Sequence, residues 1–355
     1  METMTIETSG GSYPVHIGTG IRSKWRDLIH QPNSYSSFFI ITDEAVSETY
    51  LTDVRGETNI PTFVVPSGEA SKSFQRYYEC MTALLEAGLD RKACIIALGG
   101  GVVGDLAGFA AATYMRGIDF IQMPTTLLAH DSSVGGKTGI NHELGKNLIG
   151  AFHQPSAVIY DIDCLRTLPD REWRSGFSEV IKHALIHDED FLTWLIERKK
   201  PVQNFSDDEL QYMIKEGISV KGAIVKEDER ESGVRAFLNF GHTLGHAIEA
   251  ELGYGKVTHG EAVAIGMIYA LKMSEAYFHK TFRIDKLREW FLEVGLPVDV
   301  PEELDAHKLL LRMKKDKKAE NNSMQFVLLK EIGTPVKVSI RDKVALNLLG
   351  VERSF

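Results

Sequence analysis

Two histidines, His242 and His246, stand four residues apart in NFGHTLGHAIEA. On a helix that spacing puts both rings on one face. His259 precedes a second helical pattern in VTHGEAVAIG, and Glu179 lies in a third, GFSEVIKHA. Two imidazoles and one carboxylate around an open position are a common composition for a catalytic zinc ion. The HExxH pattern of zinc proteases is absent, because Thr243 stands where the general-base glutamate would be. Twelve histidines give many chance triplets, so His30, His142, His279 and His307 are left as background. Lys182 follows Glu179 by three residues and shares its helix face, and Lys226 and Arg235 lie near these groups in sequence. Each also reads as an ordinary solvated charge.

A second chemistry is written in LGGGVVGDLAG, Leu98 to Gly108. The stretch follows a strand pattern and opens a helix. Glycines let backbone approach a ligand, and the helix N-terminus offers free N–H groups to a phosphate. Gly99, Gly101 and Gly104 satisfy GxGxxG, but no acidic residue ends the next strand, since Asp119 sits at its beginning. The segment reads as a pyrophosphate cradle without the ordinary dinucleotide fingerprint. The competing reading is a tight strand–helix turn packed by small residues. A further segment, His130 to Asn147, gathers Asp131, Ser132, Lys137, Lys146 and Asn147 into one irregular loop after a strand. Long loops at strand ends tend to carry function.

The elements that must position these groups follow from periodicity. FFIIT (38–42), TFVVP (62–66), ACIIAL (93–98), DFIQMP (119–124) and AVIYD (157–161) are short apolar runs that read as strands. Helical patterns alternate with them, one running through SFQRYYECMTALLEAGL to a cap at Gly88. The expected fold is an N-terminal α/β domain with a mainly parallel sheet covered on both faces. After Leu168-Pro169 helical periodicity dominates, over 175–198, 207–228, 236–252, 259–279, 284–294 and 302–315. A small hairpin is expected around Ile332-Gly333-Thr334. The division is therefore 1–168, α/β, and 169–355, rich in helix, with the two domains closely packed around a cleft.

Lys plus Arg number 40 and Asp plus Glu 49, a formal charge of −9, which argues against a nucleic-acid surface or a basic membrane face. Cys80, Cys94 and Cys164 form no CxxC and cannot all pair, which fits a reducing compartment. The N-terminus has no basic start followed by an apolar run, and the weakly polar stretch 93–112 contains glycines and Asp105. The expectation is a cytoplasmic protein with no membrane span.

Taken together, SGEASK (67–72), GGGVVGD, YMRG, PTTLLAHDSSVGGKTGIN, GKN, GFSEVIKHA, KEDERESGVRAFLNFGHTLGHAIE and DKK occur in this order. The chain resembles the 3-dehydroquinate synthases of the shikimate pathway, over about residues 10 to 345. It departs at His130, where many members carry an apolar residue. The resemblance implies an NAD-binding α/β domain, a helical metal-binding domain and a homodimer. NAD contacts would come from Asp43, from Ser67, Gly68, Glu69, Ala70, Ser71 and Lys72, and from Gly100, Gly101, Val102, Val103, Gly104 and Asp105. Thr125, Thr126, Lys137, Lys146, Cys164, Leu165, Arg166 and Thr167 would complete them. The metal, usually zinc, with cobalt as the alternative, would be held by Glu179, His242 and His259. Substrate contacts would include Asp131, Lys137, Lys146, Asn147, Lys182, Lys226, Arg235, Asn239 and His246. Arg116 would reach the neighbouring subunit's substrate phosphate, and Lys317 of the Lys317-Lys318 pair would join the set.

The implied reaction converts 3-deoxy-D-arabino-heptulosonate 7-phosphate to 3-dehydroquinate and phosphate. Oxidising the C5 alcohol acidifies the adjacent C–H, so phosphate can leave by β-elimination. Re-reduction, ring opening and an aldol closure follow, and NAD is recycled within one turnover. Two alternatives share the scaffold: another sugar-phosphate cyclase, and a metal-dependent NAD polyol dehydrogenase.

Overall fold

The apolar runs of the first half place hydrophobic side chains at successive strand positions, so both faces of the resulting sheet must be covered. A computed structural model describes residues 1–231, 233–253, 255–316 and 324–350. They form two compact units, Met1–Leu168 with Ser206–Arg230, and Pro169–Phe205 with the chain from Glu231 onward.

The first unit contains β1 (Glu2–Thr8), β2 (Gly11–Gly18), β3 (Phe38–Asp43), β4 (Thr62–Val65), β5 (Cys94–Gly99), β6 (Asp119–Pro124), β7 (Lys137–His142), β8 (Gly145–Phe152) and β9 (Ala157–Asp161). Its larger sheet has the order β1-β2-β9-β6-β5-β3-β4. Only β1 on β2 is antiparallel; the other pairings are parallel. The five expected strands are present. β1 and β2 come in addition, since ETMTIET is too polar to stand out as an apolar run.

Strand alternation divides the core. Phe39, Ile41, Ile95, Ala97 and Phe120 pack with the helices Phe74–Glu86 and Gly101–Thr113 on one face. Ile40, Ile96, Leu98, Ile121 and Ile159 pack with Trp25 and Val54 on the other. The Phe74–Glu86 helix begins where the Ser73 side chain accepts the Arg76 N–H at 3.3 Å. It ends as expected at Gly88, whose φ of +69° lets the Leu89 N–H reach the Leu84 carbonyl at 3.3 Å.

In the first unit the structure differs from the sequence reading at two segments. His130–Asn147 is not one irregular loop. It contains a short helix, Ala129–Ser132, and then the antiparallel hairpin β7–β8, which extends to Phe152. The helix Asp207–Glu227 packs on β1 and β2 and belongs to the first unit, not to the 169–355 division. Periodicity identifies a helix but not the core its apolar face will join.

The second unit is helical, with Asp170–His187, Glu189–Glu197, His242–Leu252, His259–Phe278, Ile284–Glu293, Ala306–Asp316 and Asp342–Leu348. The expected 175–198 helix is two helices, because Asp188 ends the first and its side chain accepts the Asp190 and Phe191 N–H groups that start the second, at 2.8 and 3.3 Å. The expected hairpin is β10 (Met324–Leu329) and β11 (Pro335–Ile340). Leu244, Ile248, Ile265, Met273, Leu309, Phe326 and Leu328 share this unit's core.

Candidate active site

Three helices of the second unit converge on Glu179, and glycines beside the ligands allow it. Gly260 follows His259; a Cβ there would lie 2.0 Å from the Ser175 carbonyl oxygen, four residues before Glu179. Gly241 precedes His242 at φ +81°, and a Cβ on Gly266 would lie 1.9 Å from its carbonyl oxygen. A capping box fixes the turn at His259: the Thr258 side chain accepts the Glu261 N–H at 3.2 Å, and Glu261 accepts the Thr258 N–H at 2.8 Å.

The outcome is a compact donor set. Glu179 Oε1 lies 3.4 Å from His259 Nε2 and 3.7 Å from His242 Nε2. The other ring nitrogens are engaged, His242 Nδ1 with the Phe240 carbonyl at 3.2 Å and His259 Nδ1 with Glu249 Oε2 at 3.0 Å. Both partners only accept, so each Nδ1 donates and each Nε2 is turned toward Glu179. Glu179 is 1% exposed, and its buried Oε1 has no hydrogen-bond partner among the described residues. A carboxylate oxygen left unbonded opposite two imidazole nitrogens fits a divalent cation held by Glu179, His242 and His259.

The charges around this set are strongly perturbed. Burial pushes the Glu179 carboxyl up, but Lys182, His242 and His259 outweigh it and hold it well below the usual carboxylate range. Burial drives His242 well below its ordinary value. Burial also pulls His259 down, yet Glu179 and Glu249 overcome this and raise it to about 10. Lys182 is 1% exposed and its Nζ contacts Glu179 Oε2. The His246 ring centroid lies 5.2 Å from that of His242 and 5.8 Å from that of His259. Arg235, buried, and Asn239 sit on the 3-10 segment Val234–Asn239 that leads to His242. Asn239 Nδ2 donates to Glu231 Oε1 at 3.2 Å.

In the first unit, parallel strands do the gathering. Asp43 ends β3, Ser67–Lys72 follows β4, Gly100–Asp105 follows β5, Thr125 and Thr126 follow β6, and Cys164–Thr167 follows β9. All these segments therefore lie at the carboxyl edge of one sheet. From β3 the chain runs outward to β4, then returns to β5 and continues the other way to β6 and β9, so strand order reverses between β3 and β5. Ligands of open α/β sheets bind at such a switch point. Asp43 supplies an acid beside the glycine loop from an earlier strand, which a search of the following strand cannot find.

The glycine loop serves packing as well. A Cβ on Gly104 would lie 2.7 Å from Gln122 Oε1, and one on Gly100 2.9 Å from Thr126 Cγ2. The helix starting at Gly101 has no side-chain cap on its first N–H groups, which leaves that end compatible with an anion cradle. Lys72 Nζ contacts Asp105 Oδ2, and Ser67 Oγ donates to Asp43 Oδ1 at 2.8 Å. Tyr50 bridges to Thr167 Oγ1 at 2.6 Å.

The remaining candidates have contacts of their own. Asp131 Oδ1 pairs with Lys221 Nζ at 3.2 Å. His130 is buried, with Nδ1 2.7 Å from the Leu127 carbonyl. Lys137 begins β7, and Lys146 and Asn147 lie in β8. Lys226 is exposed and pairs with Glu7 of β1 at 2.5 Å. Arg116 is exposed at φ +72°, after Met115 at φ +50°. Lys317 and Lys318 lie outside the described residues. One residue of this cluster escaped the sequence reading: Glu249, whose carboxylate meets His259 Nδ1, carried a signal as an acid within the apolar HAIEA helix.

Comparison with known proteins places the chain in a family. Residues 62–175 match the family model for the 3-dehydroquinate synthase N-terminal region, and 176–319 match that for the C-terminal region. The chain is 54% identical over 354 residues to 3-dehydroquinate synthase of Geobacillus kaustophilus, covering 97% of this chain and 96% of that protein. A crystal structure of 2-deoxy-scyllo-inosose synthase complexed with carbaglucose-6-phosphate, NAD+ and Co2+ superposes with TM-score 0.88 at 26% identity, over 98% of this chain and 99% of that one. The 2-epi-5-epi-valiolone synthase ValA of Streptomyces hygroscopicus, with NAD+ and Zn2+ bound, shares the fold with TM-score 0.84 at 22% identity over 96% of each chain. The chain belongs to the 3-dehydroquinate synthase family.

Proposed function

We propose that this chain is a lyase that converts 3-deoxy-D-arabino-heptulosonate 7-phosphate to 3-dehydroquinate and phosphate, using NAD and a divalent cation, zinc or cobalt. The observation that carries the reading is the buried, unbonded Glu179 Oε1 facing two imidazole Nε2 atoms at 3.4 and 3.7 Å. It stands in a chain 54% identical to a curated 3-dehydroquinate synthase. When bound, the nicotinamide and the cation supply reversible oxidation of a secondary alcohol and stabilisation of the charge on its oxygen.

The chain's own residues bind and orient the substrate. Glu179, His242 and His259 hold the cation, with Glu249 and the Phe240 carbonyl fixing the rings. Lys182 and Lys146 offer ammonium groups to substrate oxygens, and Asn147 and Asn239 add directional hydrogen bonds. Arg235 and Arg116 provide planar donor forks suited to carboxylate and phosphate. His246 exchanges a proton with the departing phosphate oxygen. Asp43, Ser67–Lys72, Gly100–Asp105, Thr125, Thr126, Lys137 and Cys164–Thr167 hold the nucleotide.

The working unit is a homodimer in which Arg116 serves the neighbouring subunit. Phe74, Tyr78 and Leu85 leave one face of their helix exposed and apolar, and Met115, beside Arg116, is also exposed. Such a face suits a second copy of the chain. Mixed dimers of an Arg116→Ala chain and a His259→Ala chain regain partial activity if Arg116 acts across the interface, and none if it acts within its own chain. The protein is cytoplasmic in this reading. Its three cysteines are free and buried, and burial pushes the Cys80 and Cys164 thiols up to about 12, where they stay unreactive.

A panel of sugar phosphates tests the substrate. Heptulosonate phosphate should yield free phosphate and a product with the mass of 3-dehydroquinate. Faster phosphate release from a hexose phosphate would overturn the assignment in favour of another cyclase.

A further inference from the structure

The β7–β8 hairpin is irregular at one place. Ile140 pairs with Ile149 and His142 pairs with Gly145, so Asn141 alone opposes Lys146, Asn147 and Leu148. Bulges of this kind bend a strand and re-aim its side chains. Here the extra residues are the two substrate candidates, Lys146 and Asn147. Asn147 takes φ +57°, a left-handed conformation that asparagine tolerates better than most residues.

Asn141 makes three hydrogen bonds at this irregularity. Its Oδ1 accepts the Asn147 N–H at 2.9 Å. Its Nδ2 donates to Glu69 Oε1 at 2.7 Å. Its backbone N–H, released from the ladder by the bulge, donates to the Lys72 carbonyl at 2.8 Å. One side chain thus joins the Glu69–Lys72 loop to the bulge that presents Lys146 and Asn147.

We propose that Asn141 is a positioning residue for the reaction: by tying the bulge to the Glu69–Lys72 loop it sets the geometry with which Lys146 and Asn147 meet the substrate. The proposal rests on the reading above, in which that loop holds nucleotide and those two residues hold substrate.

A double-mutant cycle tests it. Asn141→Asp keeps the acceptor for the Asn147 N–H but sets a carboxylate against Glu69. Glu69→Gln then supplies an amide donor, and the link re-forms with its polarity reversed. The readout is the KM for heptulosonate phosphate at saturating NAD, with kcat alongside. In the wild-type background Asn141→Asp should raise that KM about tenfold, with a smaller change in kcat. In the Glu69→Gln background the same substitution should raise it less than about threefold. A general loss of hairpin structure would produce equal effects in both backgrounds. Equal effects, or an unchanged KM in the single variant, overturn the proposal. Failure of the underlying reading is seen separately, as absence of phosphate release by the wild-type chain.

Discussion

The proposed metal-ligand cluster and the proposed substrate hairpin are ordered by opposite means. Glu179 and Lys182 are each 1% exposed, on a helix wedged among others by glycine contacts, and each ligand ring has a fixed partner on its far nitrogen. Asn147 is exposed and Lys146 half-buried, on a bulged strand in a left-handed turn pinned by Asn141. Groups that must hold a charge in a low-dielectric place are built into a core, where their geometry is preset and their removal costs stability. Groups that must meet an anionic substrate arriving from water stay on accessible backbone, where a few hydrogen bonds set their aim. The burden of function thus falls on the fold in one region and on local polar contacts in the other.

The strongest way to break this comparison is to remove a ligand. His242→Ala or His259→Ala should lower phosphate release by about 10³-fold, the equivalent of several kcal/mol of charge stabilisation, and abolish bound metal in elemental analysis. A variant that retained one metal per chain with normal turnover would show that these rings are not ligands.

The next test sets one lysine from each region side by side. Lys182→Met leaves the Glu179 carboxylate buried without its ammonium partner, and should destabilise the metal-free protein by about 3–5 kcal/mol in denaturant unfolding. Lys146→Met should change stability by no more than about 0.5 kcal/mol while still impairing substrate binding. Equal stability losses would erase the distinction between the regions.

The smallest expected effect concerns orientation within the buried cluster. Glu249→Gln keeps the size of the side chain that faces His259 Nδ1 but removes its charge. Metal affinity, measured by chelator competition, should fall about 10- to 100-fold. An unchanged affinity would mean that the ring is held by packing alone.

Sequence and structure agree where local pattern decides the outcome. The short apolar runs became β3, β4, β5, β6 and β9, and the four-residue spacing of His242 and His246 did put two rings on one helix, 5.2 Å apart between centroids. Glycines abut both histidine ligands in sequence, at Gly241 and Gly260, but the backbone each one admits appears only in three dimensions. The placement of the Asp207–Glu227 helix was not legible, because its periodicity is compatible with either core. Asn141 was not legible either. Its partner Glu69 is 72 residues away, and an asparagine in a loop-like stretch looks the same whether or not it bridges two segments. Glu249 lies between these cases: a buried acid on an apolar helix signals a partner without naming it.

In the proposed reaction the chain returns the hydride it borrows, so that phosphate leaves without net oxidation. Following phosphate release and 340 nm absorbance in one cuvette, with heptulosonate phosphate, NAD and zinc, tests it directly. Many equivalents of phosphate per chain, with no growing absorbance, are expected. One NADH for each substrate consumed would contradict it and mark the chain as a dehydrogenase.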